Sequence, residues 1–445
     1  MGALRSCTFL ACLGVLAACS PSAGDGRTGT PSATVQPPAL ARIRDWPLPA
    51  SRGATAPDLV ATPGRRLLLS WLEPADGAGH RLRLAEATPG QAWDAPVTVA
   101  EGDDWFVNWA DTPHAYRLAD GSLWAHWLRS TGPSRMDYGI AMARSGDGGA
   151  SWSAPRLLHP PTRGDHGFVS FWQQPDGRLG VAWLDSRQKA AIAAGHGGHE
   201  DEDGHHGGGA AMMLRAALVG TDGATVAEWA LDTSTCDCCT TSSALTGRGV
   251  VVVYRGRGNG EVRDTRIVRL EGGRWSAPRD VHADGWHFAG CPVNGPAVVA
   301  EGDEVWVAWY TEAGGEPELR AARSRDAGDW FGAPVTLARG PQVQGRVALA
   351  LADGHLLAAW LEDAAPDAQR LVLGRYDLDW GRAQHTEVAR IAARGRASGL
   401  PRLRWADGAA WLAWTAAEAA DTPGGKPVAV LRGARVDWPG PAVTP

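Results

Sequence analysis

Asp120-Gly121-Ser122-Leu123-Trp124-Ala125-His126-Trp127 is a turn followed by a β-rich run that closes on tryptophan, and the same phrase returns along the whole chain. Asp-Gly supplies the turn, because glycine adopts positive φ at no steric cost, and the apolar run after it has the length and composition of a strand. Before it stand Pro63-Gly64 with residues 67–71, ending on Trp71. After it come Asp176-Gly177 with 179–183 and Trp183, then 247–249 with 250–254 and Tyr254. Gly302-Asp303 follows with 305–309 and Trp309, Asp353-Gly354 with 356–360 and Trp360, and Asp407-Gly408 with 410–414 and Trp414. The steps between these aromatics are 56, 56, 71, 55, 51 and 54 residues, so the units are nearly equal except the third. A repeat of about fifty residues, all β and with room for four short strands, is the signature of a β-propeller. The expected fold is therefore all-β, a single propeller of seven four-stranded blades, with residues 41–46 supplying the strand that closes the ring. If one unit only closes the ring, the count drops to six.

Composition agrees with a large soluble core. The chain has 445 residues, 44% of them hydrophobic and 21% charged, with a net charge of −6, which implies neither a nucleic-acid partner nor attraction to an anionic membrane surface. Its aromatic residues are 22 Trp against 5 Tyr and 6 Phe, as expected when one structural role is used repeatedly.

Residues 1–18 read as a signal peptide: Arg5 gives the positive start, residues 9–15 form an apolar run too short to span a bilayer, and Leu16-Ala17-Ala18-Cys19 follows. The last four residues resemble a bacterial lipobox. That resemblance implies that Cys19 is the lipid anchor, that Cys7 and Cys12 leave with the signal, and that Ser20 sends the protein to the outer membrane, facing the periplasm or the surface. Residues 19–40, rich in Pro, Gly, Ser and Thr, read as a flexible tether, and 41–445 as the propeller.

Ser145-Gly146-Asp147-Gly148-Gly149-Ala150-Ser151-Trp152 resembles the Asp-box, or BNR repeat, of the sialidase-like propellers, with Ser145, Asp147, Gly149 and Trp152 at its defining positions. Residues 324–330 are a shortened copy, and 272–278 and 91–96 are decayed ones. In physical terms the box is a stiff hairpin: the Asp accepts hydrogen bonds from its own turn, Gly takes the positive φ and Trp packs between strands.

The chemistry concentrates in Thr235-Cys236-Asp237-Cys238-Cys239-Thr240 and in Trp286-His287-Phe288-Ala289-Gly290-Cys291-Pro292. Adjacent cysteines bridge each other only with strain, so a three-thiol cluster suits a soft metal ion or redox chemistry. The alternative is a disulfide from Cys291 to one of the three. In a propeller the inner strands begin on one face, opposite the Asp-boxes, which brings Asp111, His166, the cysteine cluster and residues 287–294 to one channel mouth. The expected ligands are Cys236, Cys238, Cys239 and Cys291, with His287 and His166, or Asp111, nearby, and the ion is copper or zinc. The long third unit carries a Gly/His/acid loop with His196, His199, His205 and His206, a composition suited to collecting metal.

Two further readings stand beside the binding of a metal ion or a small ligand at the channel mouth: an interaction scaffold and a working glycosidase. Sialidases hold a carboxylate with three arginines and use a Tyr–Glu nucleophile pair. The resemblance carries those roles to Arg255, Arg263, Tyr310 and Glu312, yet the first inner strand reads Thr55-Ala56-Pro57, without the family's arginine. Arg255, Arg257 and Arg263 near Glu261 and Asp264 are also expected as an exposed, salt-bridged loop.

Overall fold

Each aromatic-ended run is the second strand of an antiparallel sheet, and its side chains are buried on both faces because the sheet is sandwiched between two neighbours. That double burial explains why the runs read as continuous apolar stretches rather than alternating ones. The computed structural model describes residues 41–189, 191, 210–420, 422 and 425–438. Among these, seven separate sheets form a seven-bladed propeller of four-stranded blades, the fourth blade splitting its outer strand into Arg274–Trp275 and Arg279–Asp280. Among the described residues almost no helix is present, and none is long and apolar enough to cross a membrane.

The ring closes as the sequence indicates. Arg42–Asp45 pairs antiparallel with Val428–Asp437 and so becomes the outer strand of the seventh blade, whose other strands come from the far end of the chain. Trp71, Trp127, Trp183, Tyr254, Trp309, Trp360 and Trp414 occupy equivalent strands and are all buried. Trp127, for example, packs in the cluster that joins Leu68, Leu72 and Leu82 of the first blade to Leu123 and Ala141 of the second. Truncating such a residue to alanine costs about 3–5 kcal/mol.

Strand order also separates the two faces. Ser145 ends a third strand opposite Leu123, and Leu123 in turn faces Arg117, the last residue of the inner strand His114–Arg117. The Asp-box therefore lies on the face where inner strands end. On the other face, Asp185 pairs with both His166, at the start of an inner strand, and Met213. The chain between Leu179–Asp185 and Met212–Val219 thus leaves and returns on the channel-mouth side. His196, His199, His205 and His206 within it lie outside the described residues, as do Cys19 and the tether.

Candidate functional site

All seven blades contribute to a central cavity of about 630 Å³. Its mouth is laced by contacts between the first residues of the inner strands. Phe168 N–H donates to Asp111 Oδ1 (2.7 Å), Thr241 Oγ1 donates to the Phe168 carbonyl (2.8 Å), and Arg346 N–H donates to Asn294 Oδ1 (2.7 Å). Arg402 donates to the Pro57 carbonyl and to Thr112 Oγ1, and Arg346 lies 4.4 Å from the Trp109 ring. Between the fourth and fifth blades the backbone of Gly295 comes so close that a Cβ there would sit 2.2 Å from the Thr240 carbonyl. The starts of neighbouring inner strands thus meet in pairs, Asp111 with Phe168 and Asn294 with Arg346.

The cysteine segment is pinned from several sides. Cys236 N–H donates to the Arg255 carbonyl (3.0 Å). Asp237 accepts from Lys189 Nζ (2.6 Å) and Met212 N–H (3.4 Å), residues that stand on either side of the His-rich insertion. Cys236 Sγ lies 3.1 Å from Cys239 Sγ and 3.9 Å from Cys238 Sγ. These three are the group of potential ligand atoms within 4.8 Å of one another among the described residues. Cys238 is disulfide-bonded to Cys291, while Cys236 and Cys239 are free and buried.

Neighbouring hydrogen bonds, with two cationic side chains behind them, set the electrostatics. Burial opposes ionisation of Cys236, but the Cys239 thiol, the Cys238 N–H and the Arg263 and Arg255 guanidiniums outweigh it and bring its pKa down to about 7. Burial, together with the neighbouring Cys236, pushes the Cys239 thiol well above its ordinary range.

The expected four-sulfur set with histidine support is therefore modified. Cys291 is consumed in a disulfide rather than presented as a thiol, as the alternative reading of the sequence had it. His166 is fully buried, and both ring nitrogens are engaged, with Thr162 Oγ1 (3.0 Å) and the Tyr138 carbonyl (3.2 Å). His287 is exposed, and its Nδ1 lies 2.9 Å from the Gly260 carbonyl. Neither joins the sulfur group. Asp111 is buried, with one oxygen unpartnered, and burial raises its pKa to about 8 despite the hydrogen bond from Phe168.

The arginines expected on an exposed loop are buried instead. Arg257 and Arg263 do form the salt bridges, both to Glu261. Arg255, 1% exposed, donates to the carbonyls of Asn294, Arg263 and Tyr310 and packs 4.9 Å from the Trp286 ring. Four of its five donors are spent on the backbone, so it holds the Cys236 and Cys291 segments together and has no fork left for a substrate carboxylate. Tyr310 donates to Glu312 Oε1 (2.5 Å), so that pair does form. Burial and the Glu312 carboxylate push the phenol above the ordinary tyrosine range.

Sequence reasoning missed the carboxylate two residues beyond three of the core tryptophans. Trp71 donates to Glu73, Trp183 to Asp185 and Trp360 to Glu362. The signal was present as Trp-Leu-Glu or Trp-Leu-Asp in three units.

No protein-family model matches the chain, and no curated protein matches it. Among solved structures it is similar to a protein of unknown function from Dyadobacter fermentans DSM 18053, with 14% identity over 87% of this chain and 95% of that one and a TM-score of 0.46. It is also similar to the endosialidase of phage phi92 (12% identity, 80% and 72% covered, TM-score 0.41). An endo-arabinase from Bacteroides thetaiotaomicron VPI-5482 gives 12% identity, 78% and 98% covered, and a TM-score of 0.37. At these values the likenesses assign the chain to no family and attach no activity to it.

Proposed function

We propose that the protein is a lipid-anchored propeller of the bacterial outer membrane, facing the periplasm or the surface, that binds a thiophilic metal ion at the channel mouth. The observation that carries this reading is the packing of Cys236, Cys238 and Cys239 sulfurs within 4.8 Å of one another beside two buried guanidiniums. Three sulfurs at that spacing suit Cu(I) or Zn, and the guanidiniums offset the negative charge of a thiolate complex. Cys236 and Cys239 are ligands at once, and Cys238 joins them when its bond to Cys291 is reduced. The His196–His206 stretch, whose flanks Lys189 and Met212 are tied to Asp237, collects ions from dilute solution. Anaerobically reduced protein, loaded with Cu(I) or Zn and passed through a desalting column against a competing chelator, should retain about one ion per chain. The same retention by a Cys236→Ser/Cys239→Ser variant, or none by the wild type, would refute the reading.

Glycosidase activity is the second reading, favoured by the Tyr310–Glu312 hydrogen bond. Against it stand the missing first-strand arginine and the backbone-bound Arg255. Turnover of a fluorogenic sialoside should stay at background; turnover abolished by Tyr310→Phe would promote this alternative.

A further inference from the structure

The four cysteines are graded in depth. Cys236 and Cys239 are 0% and 1% exposed, Cys238 is half-buried, and Cys291 is exposed on the rim. The free pair has Cys-x-x-Cys spacing and sulfurs already 3.1 Å apart, and its first member stands 3.9 Å from the inner sulfur of the Cys238–Cys291 bond. A buried dithiol thus stands beside the inner sulfur of a rim disulfide.

We propose that these residues form a thiol–disulfide exchange relay that moves a dithiol from the interior to the rim. In the first step the Cys236 thiolate attacks Cys238 Sγ. The Cys236–Cys238 bond forms, the Cys238–Cys291 bond breaks, and Cys291 leaves as a thiolate that takes a proton from water. In the second step Cys239, having given its proton to water, attacks Cys236 Sγ and releases Cys238. The sum is one dithiol oxidised and one disulfide reduced, with two electrons passed and no outside oxidant or reductant. The Cys236–Cys238 intermediate spans a single residue and the final Cys236–Cys239 bond spans two, so the second step drains the first. Each end state leaves one pair of thiols, either shielded in the interior or presented as Cys238 and Cys291 at the mouth.

Cys291 sits where a released thiol is useful. It lies on the irregular segment before the inner strand Ala297–Glu301, next but one to Val293, which holds φ +49°. A thiolate freed there meets solvent, and with Cys238 it forms a two-sulfur capture site for Cu(I), an ion content with two thiolates. The relay rests on sulfur positions alone. Its link to metal capture rests on the function proposed above.

The test is alkylation of the folded, full-length protein without reductant, followed by peptide mapping. N-ethylmaleimide should label Cys291 in the wild type within hours, and Cys236→Ser should lower that labelling at least tenfold, since no attacking sulfur remains. Cys239→Ser permits the first step only, so Cys291 should still be labelled and a Cys236–Cys238 disulfide should be recovered. If Cys236→Ser unfolds, Cys239 becomes rapidly labelled, and the Cys239→Ser protein then decides. Wild-type labelling confined to Cys236 and Cys239 overturns the relay, as does a Cys239→Ser protein that keeps Cys238–Cys291 intact. Expected labelling in a protein that retains no Cu(I) leaves the relay standing and removes the metal reading; tight Cu(I) binding without Cys291 labelling does the reverse.

Discussion

The residues of the mouth show what a sequence conveys about chemistry and what it withholds. Three cysteines in four residues announce a reactive cluster, but which of them pairs with Cys291 depends on a fold that brings positions 53 residues apart together. Arg255 was legible as a charged residue near Glu261 and, by resemblance, as a carboxylate binder, but not as a buried clamp on the backbone. The carbonyls that bury it belong to residues 263, 294 and 310, and no local pattern encodes them. Arg255→Ala should therefore cost about 3 kcal/mol or more in a urea titration, since three carbonyls lose their donors; an unchanged midpoint would place the arginine in a loose loop. Asp111 gives a pH dependence. Its folded pKa of about 8 lies above the ordinary value near 3.8, so the folded protein keeps a proton that the unfolded chain has released. This contribution is complete below about pH 4 and is lost as pH rises through about 8. Asp111→Asn should flatten the decline of stability between about pH 5 and pH 8.5 measured by urea midpoints. Parallel wild-type and variant curves would show that the carboxyl does not titrate as described.

At the scale of the element, the Asp-box behaves as its residues indicate. Ser145 Oγ donates to Asp147 Oδ1 and accepts from Gly149 N–H, Ser151 N–H donates to Asp147, and Trp152 packs against the core between the first two blades. The copy that begins at Ser324 keeps that network through Ser324, Asp326 and Gly328 at unchanged spacing: Trp330 stands where Ser151 does, its N–H donating to Asp326, and is 70% exposed, while Phe331, seven residues after Ser324 as Trp152 is after Ser145, takes the core position. Reading residues 324–330 as a shortened copy that ends on Trp330 is thereby corrected: the packing position is set by its distance from Ser324, and there Phe331 replaces the tryptophan. Gly295 marks the closest approach between elements, where any side chain would strike the Thr240 backbone. Gly295→Ala should cost about 3 kcal/mol by overpacking and should speed alkylation of buried Cys239; a variant as stable as wild type would mean that the fourth and fifth blades stand further apart.

For the whole molecule, blade number and ring closure were readable because a fifty-residue period and a core aromatic in each unit repeat a single physical solution seven times. The choice of Cys238 as the partner of Cys291 and the burial of the arginines were not, since each occurs once and joins unlike segments. The envelope reading rests on residues outside the described structure. It predicts that Cys19→Ser leaves an uncleaved precursor that takes up no palmitate, and a variant processed and released like a secreted protein would contradict it.

The central claim is sulfur ligation of a soft ion at the mouth, and X-ray absorption at the metal edge tests it most directly. On anaerobically reduced protein loaded with one Cu(I) or Zn per chain, the account predicts a first shell dominated by two or three sulfurs, at about 2.3 Å for Zn, replaced by nitrogen and oxygen in Cys236→Ser/Cys239→Ser. A wild-type shell of nitrogen and oxygen, unchanged by that double substitution, would place the ion elsewhere and contradict the account.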